Sequence, residues 1–235
     1  MAAQRERRRR AGVVSRAVLR AASAPVEDYL KAIYELERVS GAAATNEIAQ
    51  RLDIAPASVS GMVRRLAGHK LLAHERYRGV RLTAEGRRVA LRTIRRHRVI
   101  EAYLAGALGY AWDRVHDEAE RLEHAASDEL VDRMAAAIGE PATDPHGAPI
   151  PTRDGAIEER WLRSLADLAP GTRARVVQVG DDDAPRLRYL AELGLVPGAA
   201  VTIVDRAPFG GPIRVKVGRA ERVVGPALAA SVLVE

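Results

Sequence analysis

TNEIAQRLDIAPASVSGMVRRLAGHKLL, residues 45–72, carries two short runs of apolar residues at helical spacing, with a tight turn at Asp53 between them. Ile48 and Leu52 fall on one face of the first run, and Val59 and Val63 fall on one face of the second. Two short helices joined in this way are the helix-turn-helix arrangement, in which the second helix can enter the major groove of DNA. Helical hairpins with the same periodicity also occur in proteins that do not bind DNA. The neighbouring residues must therefore distinguish a DNA-binding hairpin from a purely structural one.

The outward face of the second helix consists of small, hydroxyl-bearing and basic side chains. Small residues let a helix lie deep in the major groove, where hydroxyl groups can meet base edges. Arginines on the same face can contact phosphates. The predicted DNA-contacting residues of this helix are Ala57, Ser58, Ser60, Gly61, Arg64 and Arg65.

The stretch that follows, LLAHERYRGVRLT, indicates a winged helix. Residues 71–75 and 80–83 are predicted to form short strands around a tip at Tyr77-Arg78-Gly79. Basic residues in such a hairpin lie where a wing meets the DNA backbone or the minor groove. An ordinary surface hairpin has the same pattern, but after a helix-turn-helix it favours DNA binding, with Tyr77 and Arg78 as contacts.

The composition agrees with an anionic partner. The chain has 37 Lys and Arg against 31 Asp and Glu, a formal net charge of +6, although an Arg-rich composition also serves solubility.

With no cysteine, neither disulfides nor thiolate metal ligands are available. No run of 18 apolar residues is present, so we expect a cytoplasmic protein without a membrane span. Residues 1–22, which contain RERRRR, are predicted to be a disordered basic arm.

A second decisive stretch is HDEAERLEH, residues 116–124, which places two imidazoles and two carboxylates within about a third of the circumference of one helix. His97 and Glu101 lie four residues apart on the preceding helical pattern. Helical proteins build mixed nitrogen and oxygen metal sites with such spacings. The alternative is a solvated face with ordinary ion pairs. The candidate ligands are His97, Glu101, His116, Glu120, Glu123 and His124.

Three helices are expected around these motifs. One runs from Pro25 to Ser40 and carries Asp28, one from Thr83 to about Leu108, and one from Trp112 to Gly139. They present more apolar surface than one small winged domain can cover. A homodimer explains that surplus and would suit a two-fold symmetric DNA site.

The C-terminal third changes to a period of two. From Pro170 onward, five short strands separated by Gly and Pro turns predict a small SH3-like β-barrel. Residues 140–168 are predicted to be a weakly helical connector with His146 on its surface. The acidic loop at 181–183 could lend an oxygen to a metal, or could simply be solvated.

The chain is therefore predicted to be an α+β multidomain protein. Its segments are a disordered basic arm at 1–22, a winged helix-turn-helix DNA-binding domain at 23–84, a helical dimerisation and metal-binding domain at 85–140, a linker at 141–168, and a small SH3-like β-barrel at 169–235.

The motifs VEDYLKAIYEL, SVS, YRGVRLT, RRHR and HDEAERLEHAASDE, in this order, resemble the diphtheria toxin repressor family of metal-dependent repressors. LAELGLVPGAAVTIV and APFGGPIRVKVG resemble the FeoA-type SH3-like domain that many members carry. The resemblance covers residues 25–235. It implies a homodimer that binds a divalent metal, docks on a palindromic double-stranded DNA operator and represses metal-uptake genes.

The resemblance also implies two metal sites. The primary site would comprise Asp28, Glu120, Glu123 and His124. The ancillary site would comprise His97, Glu101 and His116. An oxygen from the loop, from Asp181 or Asp183, is a further prediction for the ancillary site.

Two positions predict which metal binds. In iron-sensing members of the family, methionine stands at the position of Asp28 and cysteine at that of Glu120, whereas both are carboxylates here. Hard oxygen ligands suit Mn²⁺, and Fe²⁺ or Co²⁺ stay possible. Small manganese sensors without the barrel have a glutamate where this chain has Lys31, so their two-manganese geometry is not carried over.

We therefore expect a manganese-dependent repressor with no membrane or small organic substrate as partner. The alternatives are an iron-responsive repressor of the same family and a metal-independent winged-helix regulator. A carboxylate-bridged metal enzyme is disfavoured because such sites need a Glu-x-x-His unit from each of two helices, and only one variant of that unit is present.

Overall fold

The computed structural model describes residues 23–75, 77, 79–158, 160–180 and 183–235. The predicted arm at 1–22 and the predicted site residues Arg78 and Asp181 lie outside the described residues. The chain divides into two compact units. The first contains the described residues from Ser23 to Ile94 together with Pro151–Ala156, and the second contains the described residues of Arg95–Ile150 and Ile157–Glu235.

The first unit contains the predicted helix-turn-helix, which is confirmed. Asp53, between the second and third helices, adopts a positive φ of 51° that makes the turn tight. Apolar side chains from all three helices, among them Ile33, Ile48 and Val59, are fully buried. The elements of this unit are α1 (Ala24–Ser40), α2 (Thr45–Arg51), α3 (Pro56–Gly68), β1 (Leu72–Glu75) and β2 (Gly79–Leu82).

The wing is the antiparallel pair β1–β2, with Leu72 opposite Leu82. It is tied to the segment between α1 and α2, because the Val80 amide donates to the Ala43 carbonyl at 3.0 Å and the Ala43 amide donates back at 2.9 Å. Gly79 has a φ of +108°, and a Cβ there would lie 2.0 Å from the Ala43 carbonyl oxygen. Only glycine can therefore start β2 at this close approach.

A long helix, α4 (Ala84–Leu108), follows the wing, and the division between the two units falls within it. Thr83 caps its start as predicted, since its Oγ1 accepts from the Gly86 amide at 3.1 Å. In the second unit, the last part of α4 packs with two shorter helices around a core that includes Val99, Val115 and Val131.

The prediction of a single helix from Trp112 to Gly139 is wrong. The structure has two helices, α5 (Val115–Leu122) and α6 (Asp128–Ala137). Ser127 starts the second one, because its side chain accepts from the Leu130 amide at 3.2 Å and acidic residues fill the first turn. The apolar periodicity continues across the break, so it did not reveal these local capping signals.

The described residues of 163–235, named the β-domain here, form one antiparallel six-stranded sheet. The elements are β3 (Arg163–Ser164), β4 (Arg173–Val179), α7 (Ala184–Leu193), β5 (Ala200–Arg206), β6 (Ile213–Val217), β7 (Ala220–Val224), α8 (Pro226–Ala230) and β8 (Val232–Val234). The strand order is β3-β8-β4-β5-β6-β7, and all five predicted strands are present. Val201, Ile203 and Val215 alternate with outward-facing residues and point into the core of the sheet.

The weak helix expected near the end of the connector is also a wrong prediction, since no α-helix is present among the described residues of 155–168. Arg163 instead pairs with Val234 as β3 joins β8. Leu165 and Leu168 pack in the core of the β-domain, and this packing determines the backbone conformation of the segment. In the described part of the chain, no helix has the length and apolarity needed to cross a bilayer.

Candidate metal centre

The end of α4 and the start of α5 bring three predicted ligands together in the second unit. The Nε2 atom of His97 lies 3.0 Å from Glu101 Oε1 and 3.1 Å from His116 Nδ1. His116 Nδ1 lies 3.3 Å from the same Glu101 oxygen. One turn of α4 thus places an imidazole and a carboxylate on the face that receives α5.

His97 links this group to the C-terminal end of α5. Its Nδ1 lies 2.7 Å from Glu123 Oε2 and 3.6 Å from Glu120 Oε1. Glu123 Oε1 in turn lies 3.4 Å from His124 Nε2. Although the helix ends at Leu122, Glu123 keeps helical dihedral angles, with φ −58° and ψ −33°, so the spacing read from the sequence survives the break. We name the six residues the carboxylate–imidazole network: His97, Glu101, His116, Glu120, Glu123 and His124.

Glu101 is the buried anion of this network. Burial alone would raise the pKa of Glu101, but hydrogen bonds with His116 and His97 outweigh it and hold the pKa well below its ordinary value. Glu101 is therefore an anion at neutral pH, completely shielded from solvent. A buried carboxylate of this kind requires cationic partners.

The sequence reasoning missed two residues of the site, Asp144 and His146. His146 was predicted to be on the surface of a connector, and this is wrong, because it is fully buried. Its Nδ1 lies 3.9 Å from Glu101 Oε1. Asp144 is held by the His146 and Ala148 amides, which donate to its Oδ1 at 2.9 and 3.0 Å. We name Glu101, Asp144 and His146 the inner cluster.

The donor atoms of the second unit are close enough to share ions. Two triads have ligand atoms within 4.8 Å of one another among its described residues: His97, His116 and Glu120, and the inner cluster. All of these atoms are imidazole nitrogens or carboxylate oxygens, the donors that fit Mn²⁺, Fe²⁺, Co²⁺ and Zn²⁺.

Two buried atoms of the inner cluster indicate that the residues fit a cation. Glu101 Oε2 and His146 Nδ1 have no hydrogen-bond partner among the described residues. Polar atoms inside proteins are nearly always paired, and exceptions call for an explanation such as an ion. Each residue of the inner cluster offers a carboxylate oxygen or an imidazole nitrogen, and these ligand atoms lie within 4.8 Å of one another, so the cluster fits a divalent cation.

The other predicted ligands are placed differently. Asp28 lies on α1 in the first unit, so its participation with Glu120, Glu123 and His124 stays a prediction. Asp183 caps α7, where its side chain accepts from the Arg186 amide at 2.9 Å. It belongs to neither triad of the second unit, and this N-cap role accounts for its position.

The predicted DNA-contacting face of α3 is solvent-exposed along its whole length: Ala57, Ser58, Ser60, Gly61, Arg64 and Arg65. Ser60 Oγ donates to the Pro56 carbonyl at 3.2 Å, and Arg64 Nε donates to the Ser60 carbonyl at 3.3 Å. Tyr77 at the tip of the wing is 90% exposed. The face is therefore accessible, and its contact with DNA stays a prediction.

The chain matches three family models in consecutive segments. Residues 22–80 match the iron-dependent repressor N-terminal DNA-binding domain, residues 83–152 match the iron-dependent repressor metal-binding and dimerisation domain, and residues 163–235 match the FeoA domain.

Individual relatives extend over most of the chain. The iron-dependent repressor IdeR of Mycobacterium leprae is 32% identical over 221 residues, which cover 89% of this chain and 96% of that protein. The diphtheria toxin repressor of Corynebacterium jeikeium is 40% identical over 132 residues, 56% of this chain and 55% of that protein. A solved manganese-dependent transcriptional repressor in complex with manganese has a TM-score of 0.83 at 37% identity, covering 89% of this chain and 99% of that one. The chain therefore belongs to the diphtheria toxin repressor family of metal-dependent transcriptional repressors.

Proposed function

We propose that this chain is a manganese-responsive homodimeric repressor that binds a palindromic DNA operator and controls manganese-uptake genes. The observation that carries the proposal is the inner cluster, in which a buried carboxylate oxygen and a buried imidazole nitrogen lack partners among the described residues. Two positions are proposed for metal: a first one formed by Asp28, Glu120, Glu123 and His124, and a second one at the inner cluster with His97 and His116 beside it.

The choice of manganese depends on the donor atoms. Asp28 and Glu120 present oxygen where the iron-sensing members of the family have sulfur, and Asp144 adds another carboxylate to the inner cluster. Oxygen-rich sites favour hard ions such as Mn²⁺ over ions that gain more from soft ligands. The resemblance to a solved repressor in complex with manganese supports the same choice. The relative named as iron-dependent keeps Fe²⁺ as the second candidate.

The proposed response is a linkage between metal and operator. Bound Mn²⁺ supplies the positive charge that a set of carboxylates from different elements needs in order to stay together. Asp28 on α1 precedes the helix-turn-helix, while Glu123 and His124 follow α5, so a shared ligand set makes the orientation of α1 depend on occupation. A coupling of about 1–3 kcal/mol changes operator affinity by roughly 5- to 150-fold.

Metal titration followed by operator binding tests the proposal. Operator affinity is measured by fluorescence anisotropy with metal-free protein and with Mn²⁺, Fe²⁺, Co²⁺ or Zn²⁺ added in turn. We expect Mn²⁺ at micromolar concentration to tighten binding, and to act more selectively than the other ions. Unchanged operator affinity at saturating Mn²⁺ would contradict the linkage. A stronger response to Fe²⁺ than to Mn²⁺ would favour the iron-responsive alternative.

A further inference from the structure

The orientation of His146 is set by a backbone carbonyl on another segment. Its Nε2 lies 2.8 Å from the carbonyl oxygen of Trp112. Because a carbonyl oxygen only accepts, the proton of the neutral ring is on Nε2 and the lone pair is on Nδ1. Nδ1 is the atom that faces Glu101. The contact with Trp112 therefore selects the tautomer and the ring orientation that a metal ligand requires.

The backbone of the same loop lies directly on the β-domain. The Val179 amide on β4 donates to the His146 carbonyl at 2.9 Å. Gly147 has a φ of +89°, and a Cβ there would lie 1.9 Å from the Val177 carbonyl oxygen. No other residue type can keep the loop this close to β4, because any side chain would meet rigid backbone.

Trp112 connects the same two parts of the unit. Its indole packs against the hydrophobic core of the β-domain, and its ring centroid is 5.7 Å from that of His146. Next to it, Asp113 pairs with Arg188 of α7 at 2.9 Å. The residue that orients the imidazole is thus itself held by the β-domain.

We propose that the β-domain is a positioning part of the metal sensor: β4 and Trp112 direct His146 Nδ1 towards Glu101, and Gly147 is the residue that allows this contact. The inference rests on the proposed function, since it concerns how the second metal position is built. In this role the β-domain does not itself have to supply a side chain that binds the metal. Weakening its contact with the loop lowers metal affinity at the inner cluster while Glu123 and His124 stay unchanged.

A matched pair of glycine variants tests the inference. Gly147→Ala and Gly198→Ala introduce the same backbone strain, because the φ values are +89° and +90°, but a Cβ at Gly198 meets nothing within 4 Å. Bound Mn²⁺ per chain is counted by electron paramagnetic resonance during titration of the full-length protein. We expect Gly147→Ala to lose one of two bound ions, or to bind it at least about tenfold more weakly. Gly198→Ala is expected to retain both.

A spectroscopic signature places the loss at the inner cluster. The chain has two tryptophans, so Trp161→Phe leaves Trp112 as the only reporter beside His146. Paramagnetic Mn²⁺ bound at the inner cluster quenches the emission of Trp112. We expect this quenching in Trp161→Phe and its loss when Gly147→Ala is added, with an unchanged circular dichroism spectrum.

A gentler pair of variants covers the case in which Gly147→Ala does not fold. Arg188→Ala removes the exposed ion pair with Asp113, and Arg214→Ala removes an exposed ion pair with Asp205 inside the β-domain. Only the first is expected to weaken Mn²⁺ binding at the inner cluster, by about two- to fivefold.

The outcomes separate the two proposals. Wild-type protein that takes up no Mn²⁺ would contradict the proposed function itself. Wild-type protein that binds two ions, together with a folded Gly147→Ala variant that binds them equally well, would overturn the inference alone. Equal losses in Gly147→Ala and Gly198→Ala, or equal affinities in Arg188→Ala and Arg214→Ala, would also overturn it.

Discussion

At the scale of single residues, the chemistry depends on which donor atoms are present and on how they are held. His97 contacts Glu123 through one ring nitrogen and Glu101 through the other, at 2.7 and 3.0 Å. It therefore joins the ligands at the end of α5 to the inner cluster. The carboxylate oxygens along this connection, in a chain without cysteine, are the physical reason to expect a hard metal ion.

The double variant Asp28→Met with Glu120→Cys tests that reason. Replacing two oxygen donors by sulfur is expected to shift the preference from Mn²⁺ towards Fe²⁺ by about tenfold or more, roughly 1.4 kcal/mol. The measurement is competition between the two ions for operator binding under anaerobic conditions. Glu118→Gln, at a half-buried position of α5 that pairs with Arg121 and belongs to neither triad, serves as the control. An unchanged preference would contradict the hard-ligand argument.

The predicted ligands of the carboxylate–imidazole network could be identified from the sequence because their helical spacing is visible within short segments. His97 lies on α4 and Glu123 follows α5 with helical dihedral angles, and four- or seven-residue intervals place such residues on one face. Asp144 and His146 could not be found in the same way. They lie more than forty residues after Glu101 in a Pro- and Gly-rich stretch, and the backbone of His146 is held by a long-range hydrogen bond from the Val179 amide of the β-domain. Two polar residues around a proline, in Asp-Pro-His, were the only local signal.

At the scale of secondary-structure elements, α3 and the wing are the part of the first unit that we predict to contact DNA. The helix-turn-helix was predictable because apolar residues mark its inner face and a tight turn separates its helices. The break between α5 and α6 was not predicted, because the apolar periodicity continues across it. Only the N-cap at Ser127 marks the start of the second helix. The two-residue strand β3 is too short to show any periodicity and depends on its pairing with β8.

Arg65→Ala tests the role of α3. Arg65 is exposed on the predicted DNA-contacting face, and its loss removes one contact with phosphate. Operator affinity is expected to fall by a similar factor for related DNA sequences. The slope of log affinity against log salt concentration is expected to become less negative by about one. The measurement is anisotropy at several salt concentrations. Arg133→Ala on exposed α6 is the control and should leave the slope unchanged. Equal slopes in both variants would exclude a phosphate contact at Arg65.

At the scale of the whole molecule, the second unit leaves large apolar side chains exposed in its helical part. Leu108, Tyr110, Leu122 and Leu130 are between 38% and 57% exposed. Exposed apolar residues grouped in one domain indicate a protein–protein interface. A dimer through these helices agrees with the family description of this segment as a metal-binding and dimerisation domain.

Leu130→Asp tests that assembly. A carboxylate buried in an apolar interface without a partner is expected to cost about 2 kcal/mol or more, which shifts the dimer towards monomer. Sedimentation velocity measures the association, and operator affinity should fall with it while Mn²⁺ still binds. Val223→Asp, at an exposed apolar position of the β-domain, is the control. A Leu130→Asp variant that stays dimeric would place the interface elsewhere.

The unpaired atoms of the inner cluster have a consequence for the lifetime of the protein. Keeping Glu101 Oε2 and His146 Nδ1 away from water, with no partner among the described residues, costs about 1–3 kcal/mol for each atom. The empty protein therefore opens more often than the loaded one, and proteases attack open states. We expect the metal-free chain to be degraded faster, so that the amount of repressor in the cell rises and falls with the supply of its own effector.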